Sequence, residues 1–271
     1  MAISSQHCDC VEICPPVRNR YFYGKLLDVM HFELEQNYFN GKRWMLNRLV
    51  SGYGVVCGLG VQLAPGAQKV IVLPGVAIDK CGREIMVCSP YEVSLPQPPE
   101  PTPTAPAGTV GAAPATNGTP THNGQDCCED NYVHLSLCYH ECPSDPVPAM
   151  GGDCDEHGMC SPGSIRERYT IEVEEGKLAP AYTNSRIQDV ICGGQINYGA
   201  LAAYVSNPCP CRGEDCCIPL ANIRIPEPGG SYEPTSIDIG IRPIVYTNDL
   251  LYELILAFMN QGQNQARGGK P

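Results

Sequence analysis

The sequence predicts an α+β fold that is mainly β, and three observations lead to this prediction. Short β-branched runs separated by glycine and proline recur along the chain, which is typical of strands joined by turns. A long segment near the N-terminus and a shorter one near the C-terminus have apolar residues at helical spacing. The 271 residues include 28 Gly and 26 Pro, so turns and loops are frequent.

The first helix is predicted over residues 28–50. Asp28 is a favoured N-cap residue, and Gly52 suits the position just past a helix end. The apolar residues of this segment form an approximate stripe, made of Phe32, Tyr38, Met45, Leu46 and Leu49. We expect this stripe to pack against the strands that follow, because an amphipathic helix buries its apolar face.

A β-meander is predicted to complete an N-terminal unit of residues 1–95. Its candidate strands are short β-branched runs separated by glycine and proline, at residues 55–57, 61–63, 70–72 and 85–87. Residues 80–82 are predicted to form a tight turn between two strands.

Residues 96–126 interrupt the pattern, since Pro, Thr, Ala and Gly dominate most of them and few apolar anchors are present. Such a composition cannot bury a core and predicts an extended or flexible segment. Two interpretations stay open. The segment either links two separate units or forms a loop insertion within one β-domain.

The remainder is predicted as a Cys-rich β unit of residues 127–247, followed by a C-terminal helix and polar tail, residues 248–271. Candidate strands lie at residues 132–137, 169–173, 218–225 and 237–245. The last helix is expected over residues 248–260, with Asp249 in its first turn. The tail from Gln261 is polar and is expected to be disordered.

The net charge of −11 comes almost entirely from the second half. Residues 127–245 contain 17 acidic and 7 basic side chains, whereas residues 1–95 contain 8 and 9. An acidic surface repels phosphate backbones and anionic lipids, so nucleic-acid partners are not expected. Because the sequence shows neither a signal peptide nor a membrane-spanning run, membrane insertion is not expected and synthesis in the cytoplasm is.

Seventeen cysteines are the most unusual feature of the composition. Cys209, Cys211, Cys216 and Cys217 are the densest group and form a candidate structural zinc site, because four thiolates can bind zinc tetrahedrally. Their spacing is not the usual C-x2–4-C, however, so a loop held by disulfides explains the same pattern. No other cofactor is expected.

Six further cysteines of the second half are disulfide candidates: Cys127, Cys128, Cys138, Cys142, Cys154 and Cys160. With His140 and His157 the last four could alternatively complete a metal site. Cys57, Cys81 and Cys88 lie in apolar strand contexts and are expected to remain unpaired, acting as small hydrophobic residues. Cross-links are therefore expected mainly within the second half.

No nucleophile–base motif, phosphate-binding loop or zinc-protease motif is present in the sequence, so we predict a non-enzymatic protein. The N-terminal unit instead contains a recognisable order of segments, at residues 20–28, 32–36, 54–59, 74–79 and 82–85. Over residues 18–90 this order resembles uncharacterised structural proteins associated with contractile injection systems and phage-tail-like baseplates. The resemblance implies no catalytic residue.

Three hypotheses for function follow. The first is a structural component of a contractile injection particle that docks to tail, baseplate or fibre proteins and self-associates as a homo-oligomer. Such a particle forms in the cytoplasm and can become extracellular. The second is a disulfide-stapled subunit of an extracellular filament, and the third is a metal-dependent enzyme that uses the Cys and His clusters.

Overall fold

The protein is described by a computed structural model, which covers residues 16–65, 68–98, 131–148, 160–181, 189–192, 195–209 and 215–268. Strands contain 37% of the described residues and helices contain 26%, which confirms the predicted α+β, mainly β class. The N-terminal helix, the strands of both halves and the C-terminal helix are all present.

The N-terminal helix α1, Val29–Leu46, begins where the sequence predicts. The carboxylate of Asp28 accepts a hydrogen bond from the backbone N–H of Val29 at 2.6 Å, and the backbone N–H of Asp28 donates to Nδ1 of His31 at 3.1 Å. Both bonds satisfy groups that a helix start leaves unpaired. The helix continues as a π-helical turn, Asn47–Ser51, and ends at Gly52, whose φ of 80° suits glycine.

The predicted packing of the α1 stripe is wrong. No side chain of α1 is buried, and Leu46 is 55% exposed. Polar contacts join the C-terminal end of the helix to the meander instead. Nδ2 of Asn47 donates to the carbonyl of Gly82 at 2.9 Å and to Glu84 at 2.8 Å, and Arg43 forms an ion pair with Glu84 at 3.3 Å. These contacts fasten the helix end to the body but cover no apolar face.

The meander consists of β1 Gly54–Gly58, β2 Val61–Leu63, β3 Lys69–Val72, β4 Gly75–Ile78, β5 Glu84–Val87 and β6 Tyr91–Ser94. They pair antiparallel as two three-stranded sheets, in the orders β1-β4-β5 and β2-β3-β6, so β1 pairs with β4 and β3 with β6 where a simple meander would pair chain neighbours; we keep the name meander for this region. The predicted strands and the tight turn at residues 80–82 are confirmed.

A four-stranded sheet formed by the second half of the chain, which we call the second sheet, has the order β12-β11-β7-β8. Its strands are β7 Tyr132–Pro148, β8 Cys160–Glu175, β11 Ile218–Arg224 and β12 Ile237–Asp238. The strand expected over residues 237–245 is therefore too long. The backbone N–H of Gly240 donates to Oδ1 of Asp238 at 2.8 Å, which turns the chain out of the sheet. A two-stranded sheet of β9 Ile191–Cys192 and β10 Gln195–Ile196 precedes the short helix α2, Tyr198–Val205.

One hydrophobic cluster contains buried residues from both sides of residues 96–126. The meander contributes Val55, Leu59, Val70, Val72, Ala77, Ile85, Val87, Val93 and Leu95, and the second sheet contributes Val133, Leu135, Leu137, Ile218, Leu220 and Ile223. The edge-to-face pair of Tyr91 and Tyr169, with ring centroids 5.7 Å apart, adds a further contact between the two halves. The meander and the second sheet thus share a core.

The C-terminal helix α3, Asn248–Gly268, is longer than predicted. The expected disordered tail is helical as far as Gly268, which corrects the boundary at residue 260. Residues 261–267 contain three Gln, one Ala and one Arg, which have good helix propensity, beside Gly262 and Asn264, which do not. No helix within the described ranges is both long and apolar enough to cross a membrane.

Candidate functional site

Two disulfides meet at the neighbouring residues Cys216 and Cys217, and we call this group the cysteine junction. Cys216 is bonded to Cys81, with 5.9 Å between their Cα atoms. Cys217 is bonded to Cys138, with 4.4 Å between their Cα atoms. Because Cys81 belongs to the meander and Cys138 to the second sheet, adjacent residues of one segment are linked covalently to both.

A buried carboxylate holds the turn that presents Cys81. Asp79 is fully buried and directly follows β4. Its Oδ1 accepts hydrogen bonds from the backbone N–H groups of Cys81 and Arg83, both at 2.8 Å, and its Oδ2 accepts from Nε of Arg83 at 2.7 Å. Three donors thus compensate the buried charge, and they fix the backbone of the turn.

Glycine is required in the same turn because the backbone of α1 passes close to it. Gly82 has a φ of 90°, a conformation that favours glycine, and a Cβ at this position would overlap the carbonyl of Trp44. The turn carrying Cys81 therefore also forms the contact between the meander and the C-terminal end of α1.

Strand pairing positions the second disulfide. Leu137 of β7 lies opposite Ile218 of β11, so the next residues along the two antiparallel strands, Cys138 and Cys217, face each other. Their Cα separation of 4.4 Å is the spacing of directly opposed residues without mutual hydrogen bonds. Asp215 fixes the approach to β11, because its Oδ1 accepts a 2.8 Å hydrogen bond from the backbone N–H of Cys217.

A cation–π contact and an ion pair are formed by residues close in sequence to the bonded cysteines. The guanidinium of Arg83 lies 4.4 Å from the ring centroid of Tyr139, and Nζ of Lys80 is 3.4 Å from Asp215. Burial and a hydrogen bond to Glu141 raise the pKa of Tyr139 above its ordinary value, so the ring is neutral at physiological pH. In both contacts the cationic side chain belongs to the meander, and the tyrosine ring or carboxylate that it meets belongs to the second half of the chain.

The predicted zinc residues are divided between different environments. Cys216 and Cys217 form disulfides, so their sulfurs are not thiolate ligands in this form. Cys209 is unpaired and exposed, and Cys211 lies outside the described residues. The sequence alone did not identify Cys81 and Cys138 as the bonding partners, because each is distant in sequence from the cysteine it meets.

Of the six disulfide candidates, Cys138 forms a disulfide and Cys142 is unpaired and partly buried. Cys160 begins β8, whereas Cys127, Cys128 and Cys154 lie outside the described residues. Cys57 and Cys88 are unpaired as predicted, but they are exposed. The expectation of an unpaired Cys81 is wrong, because the turn directs it towards Cys216.

Cys138, Cys217 and Glu172 form a group whose potential metal-ligand atoms all lie within 4.8 Å of one another. Zinc binds thiolates and carboxylates, but a structural site normally uses four ligands and requires reduced cysteines. The group provides three, and two are joined as a disulfide. The arrangement therefore stabilises the protein by cross-linking; it would need reduction and a fourth ligand to hold zinc.

The helices provide a second type of candidate site, an exposed apolar surface. The described side chains of α3 include no buried residue, and Leu251, Ile255 and Phe258 are exposed.

The residues Val55 and Ile244 form a bridge between β1 and the segment before α3. Because this bridge is parallel, α1 leads into one end of the bridged pair and the chain leaves the other end towards α3.

The paired strands β7 and β8 form a third projecting feature. Their pairing continues from Val133 and Glu175 to Pro148 and Cys160. Beyond Tyr139 and Tyr169 the two strands no longer include buried residues among those whose burial is described. We call this outer part, residues 140–148 and 160–168, the ribbon.

Comparison with models of known protein families finds no match to this sequence, and no curated protein is significantly similar to it.

Proposed function

We propose that this protein is a non-enzymatic structural component of a phage-tail-like contractile injection particle, where it docks to tail, baseplate or fibre proteins. The observation that carries this proposal is the pair of helices α1 and α3. One precedes and the other follows the two segments bridged through Val55 and Ile244, and neither helix has a buried side chain among its described residues.

The exposed apolar side chains of α1 and α3 favour a state in which other molecules cover these helices. Isolated helices are marginally stable in water, and most helical stability in proteins comes from packing an apolar face. Here Phe32 and Phe39 of α1 and Phe258 of α3 are more than half exposed. Soluble monomers rarely expose large apolar patches, and such patches mark interaction surfaces. Coverage of these faces in an assembly, by other proteins or by a second copy of this chain, would account for both helices.

The ribbon supports the same proposal. A two-stranded antiparallel pair is marginally stable alone and normally packs against another layer. Its outer end is held by polar contacts, in which Asp145 accepts hydrogen bonds from Ser144 at 3.0 Å and from Arg166 at 3.1 Å. A polar, ordered projection suits a reversible or hydrated contact with a neighbouring protein.

The cysteine junction is consistent with a particle that functions outside the cell. Disulfides persist in oxidising environments; Cys81–Cys216 connects the meander to the second sheet, and Cys138–Cys217 cross-links the second sheet itself. Disulfides would stabilise an extracellular filament subunit equally well, so they do not by themselves distinguish the two hypotheses. The resemblance of residues 18–90 to tail-associated proteins favours the injection particle.

Purification of native particles tests the proposal. A tagged full-length chain expressed in its producing cells is expected to sediment with contractile particles and to appear among their components by mass spectrometry. A chain ending at Thr247 lacks α3 and should be depleted from particles. Replacing residues 99–126 with a short Gly/Ser segment provides the matched control, because it keeps both helices. A full-length chain that is absent from purified particles and monomeric in the lysate would contradict the proposal.

A further inference from the structure

Three of the exposed apolar residues of α1 follow a seven-residue repeat. Phe32, Phe39 and Leu46 are spaced seven residues apart and are 52%, 62% and 55% exposed. Val29 occupies the second position of the same repeat at the start of the helix, and Val50, in the π-helical turn that follows α1, has the same sequence spacing; both are exposed. A repeat of this kind produces a narrow seam along one side of a helix, as in a coiled coil. We call these five residues the α1 seam.

The charges of α1 are separated along its length. Asp28, Glu33 and Glu35 lie at its N-terminal end or in its first half, whereas Lys42 and Arg43 lie in its second half. The described side chains of Glu33 and Lys42 form no ion pair with another described residue. Glu35 accepts a hydrogen bond from the hydroxyl of Tyr21, which holds its carboxylate beside the seam. A carboxylate has further acceptor sites for a cationic partner.

We infer that the α1 seam binds the α1 seam of a second copy of this chain, in antiparallel orientation. An antiparallel pair centred near Phe39 places the acidic half of each helix beside the basic half of the other. Glu35 then lies near Lys42 of the second copy, and twofold symmetry repeats the contact. A parallel pair would bring the acidic halves together, and like charges at this distance oppose association.

Two positions of the repeat are polar, which favours one register and orientation of the helix pair. Gln36 and Arg43 occupy the positions of the seam between its apolar residues. A polar residue at such a position lowers stability but selects register and orientation. Arg43 pairs through Nε with Glu84 of its own chain but is 49% exposed, so in the antiparallel arrangement its guanidinium can still lie on a phenylalanine ring of the other copy. The self-complementary charge pattern therefore favours a second copy over an unrelated partner.

The inference concerns the association of this chain with itself and does not depend on the particle proposed above. Charge exchange at two partly exposed positions tests it in the full-length, oxidised protein. Glu35→Lys and Lys42→Glu each replace an attractive contact with a repulsive one at two symmetric places. Each variant should raise the dissociation constant about tenfold or more in sedimentation equilibrium. The double variant restores opposite charges and should return to the value of the unchanged chain.

Cross-linking locates the same contact directly. A carbodiimide joins a carboxylate to an amine only when the two groups are in contact. Mixing ¹⁴N- and ¹⁵N-labelled chains should yield mixed-isotope peptides that link Glu35 to Lys42. Circular dichroism should show unchanged helix and strand signals in all three variants, because both side chains are on the surface. A monomeric full-length chain at 100 μM or more (about the limit of a useful weak contact), or a dimer unaffected by the single exchanges, would overturn the inference.

Discussion

Arg83 donates a 2.7 Å hydrogen bond from Nε to Oδ2 of Asp79, and this ion pair lies beneath the turn that carries Cys81. Asp79 is fully buried, whereas the side chain of Arg83 is 21% exposed and extends over the ring of Tyr139. The pair therefore connects the backbone of the meander turn to the second sheet beside the cysteine junction.

Replacing Asp79 with Asn should weaken this connection without changing the size of the side chain. The amide of the variant keeps one acceptor for the backbone donors but loses the charge that Arg83 meets, so we expect a loss of about 2 kcal/mol. Urea denaturation of the oxidised protein measures the change. The control is Glu92→Gln, which breaks the exposed Lys69–Glu92 ion pair and should cost less than about 1 kcal/mol. Equal losses in the two variants would contradict the structural role of Asp79.

The two disulfides should each contribute substantially to stability. They join residues 135 and 79 positions apart, so both close long loops of the unfolded chain. We expect removal of either pair, by Cys81→Ala with Cys216→Ala or by Cys138→Ala with Cys217→Ala, to cost about 2–4 kcal/mol. Denaturation without reductant measures this. Cys57→Ala, which removes an exposed unpaired thiol, should change stability by less than about 0.5 kcal/mol.

Peptide mapping checks the connectivity itself. Digestion without reduction should release peptides that join Cys81 to Cys216 and Cys138 to Cys217. Because Cys216 and Cys217 are adjacent, proteolysis should leave all three chain segments in one cross-linked product. Recovery of Cys138 or Cys217 as an unmodified, alkylatable thiol from the oxidised protein would disagree with the second bond.

Leu46→Asp should leave the chain folded, contrary to what the apolar pattern of α1 alone predicts. Leu46 is 55% exposed in a single chain, so in dilute, monomeric protein the new carboxylate remains in water and the cost should be below about 1 kcal/mol. Leu135 is fully buried in the shared core, and Leu135→Asp should abolish folding because it buries an unpaired charge. Circular dichroism and thermal melting compare the two variants. Loss of structure in Leu46→Asp would mean that the body covers the α1 seam.

Local sequence signals were sufficient for most of the fold. Asp28 marked the start of α1 and Gly52 marked the end of the π-helical turn that follows it. Runs of β-branched residues located the strands. Both signals are readable because capping and strand propensity act over a few residues. The surroundings of α1 could not be obtained in this way. An apolar seam looks the same in the sequence whether the body or a second molecule covers it.

The cysteine junction shows a similar limit. The turn around Asp79 was predictable from the run Asp79, Lys80, Cys81, Gly82, since aspartate and glycine favour tight turns. The pairing of Cys81 with Cys216 depends on contact between strands separated by more than a hundred residues. The clustered cysteines at 209–217 therefore indicated cross-linking or metal binding, but they did not indicate which distant cysteines would meet them.

The end of the ribbon should respond to acid through Asp145. Hydrogen bonds from the hydroxyls of Ser164 and Ser144, followed by Arg166, hold the pKa of this carboxyl below its ordinary value. A lowered carboxyl pKa means that the contact is complete above the ordinary pKa and is lost as the pH falls through the lowered value. The ribbon end should therefore remain ordered at pH 5 and loosen only in strong acid.

Carboxyl ¹³C NMR titration of Asp145 measures this effect in the full-length protein. Ser164→Ala removes the largest contribution and should raise the pKa of Asp145 towards the ordinary value, which moves the loosening of the ribbon to higher pH. Ser161→Ala lies on the same strand outside this hydrogen-bond group and should leave the pKa of Asp145 unchanged. An Asp145 carboxyl that titrates normally in the unchanged protein, or equal shifts in both variants, would show that the hydroxyl contacts do not order the ribbon end. A shift confined to Ser164→Ala would identify these contacts as the reason that an exposed two-stranded projection keeps a defined shape for its neighbour.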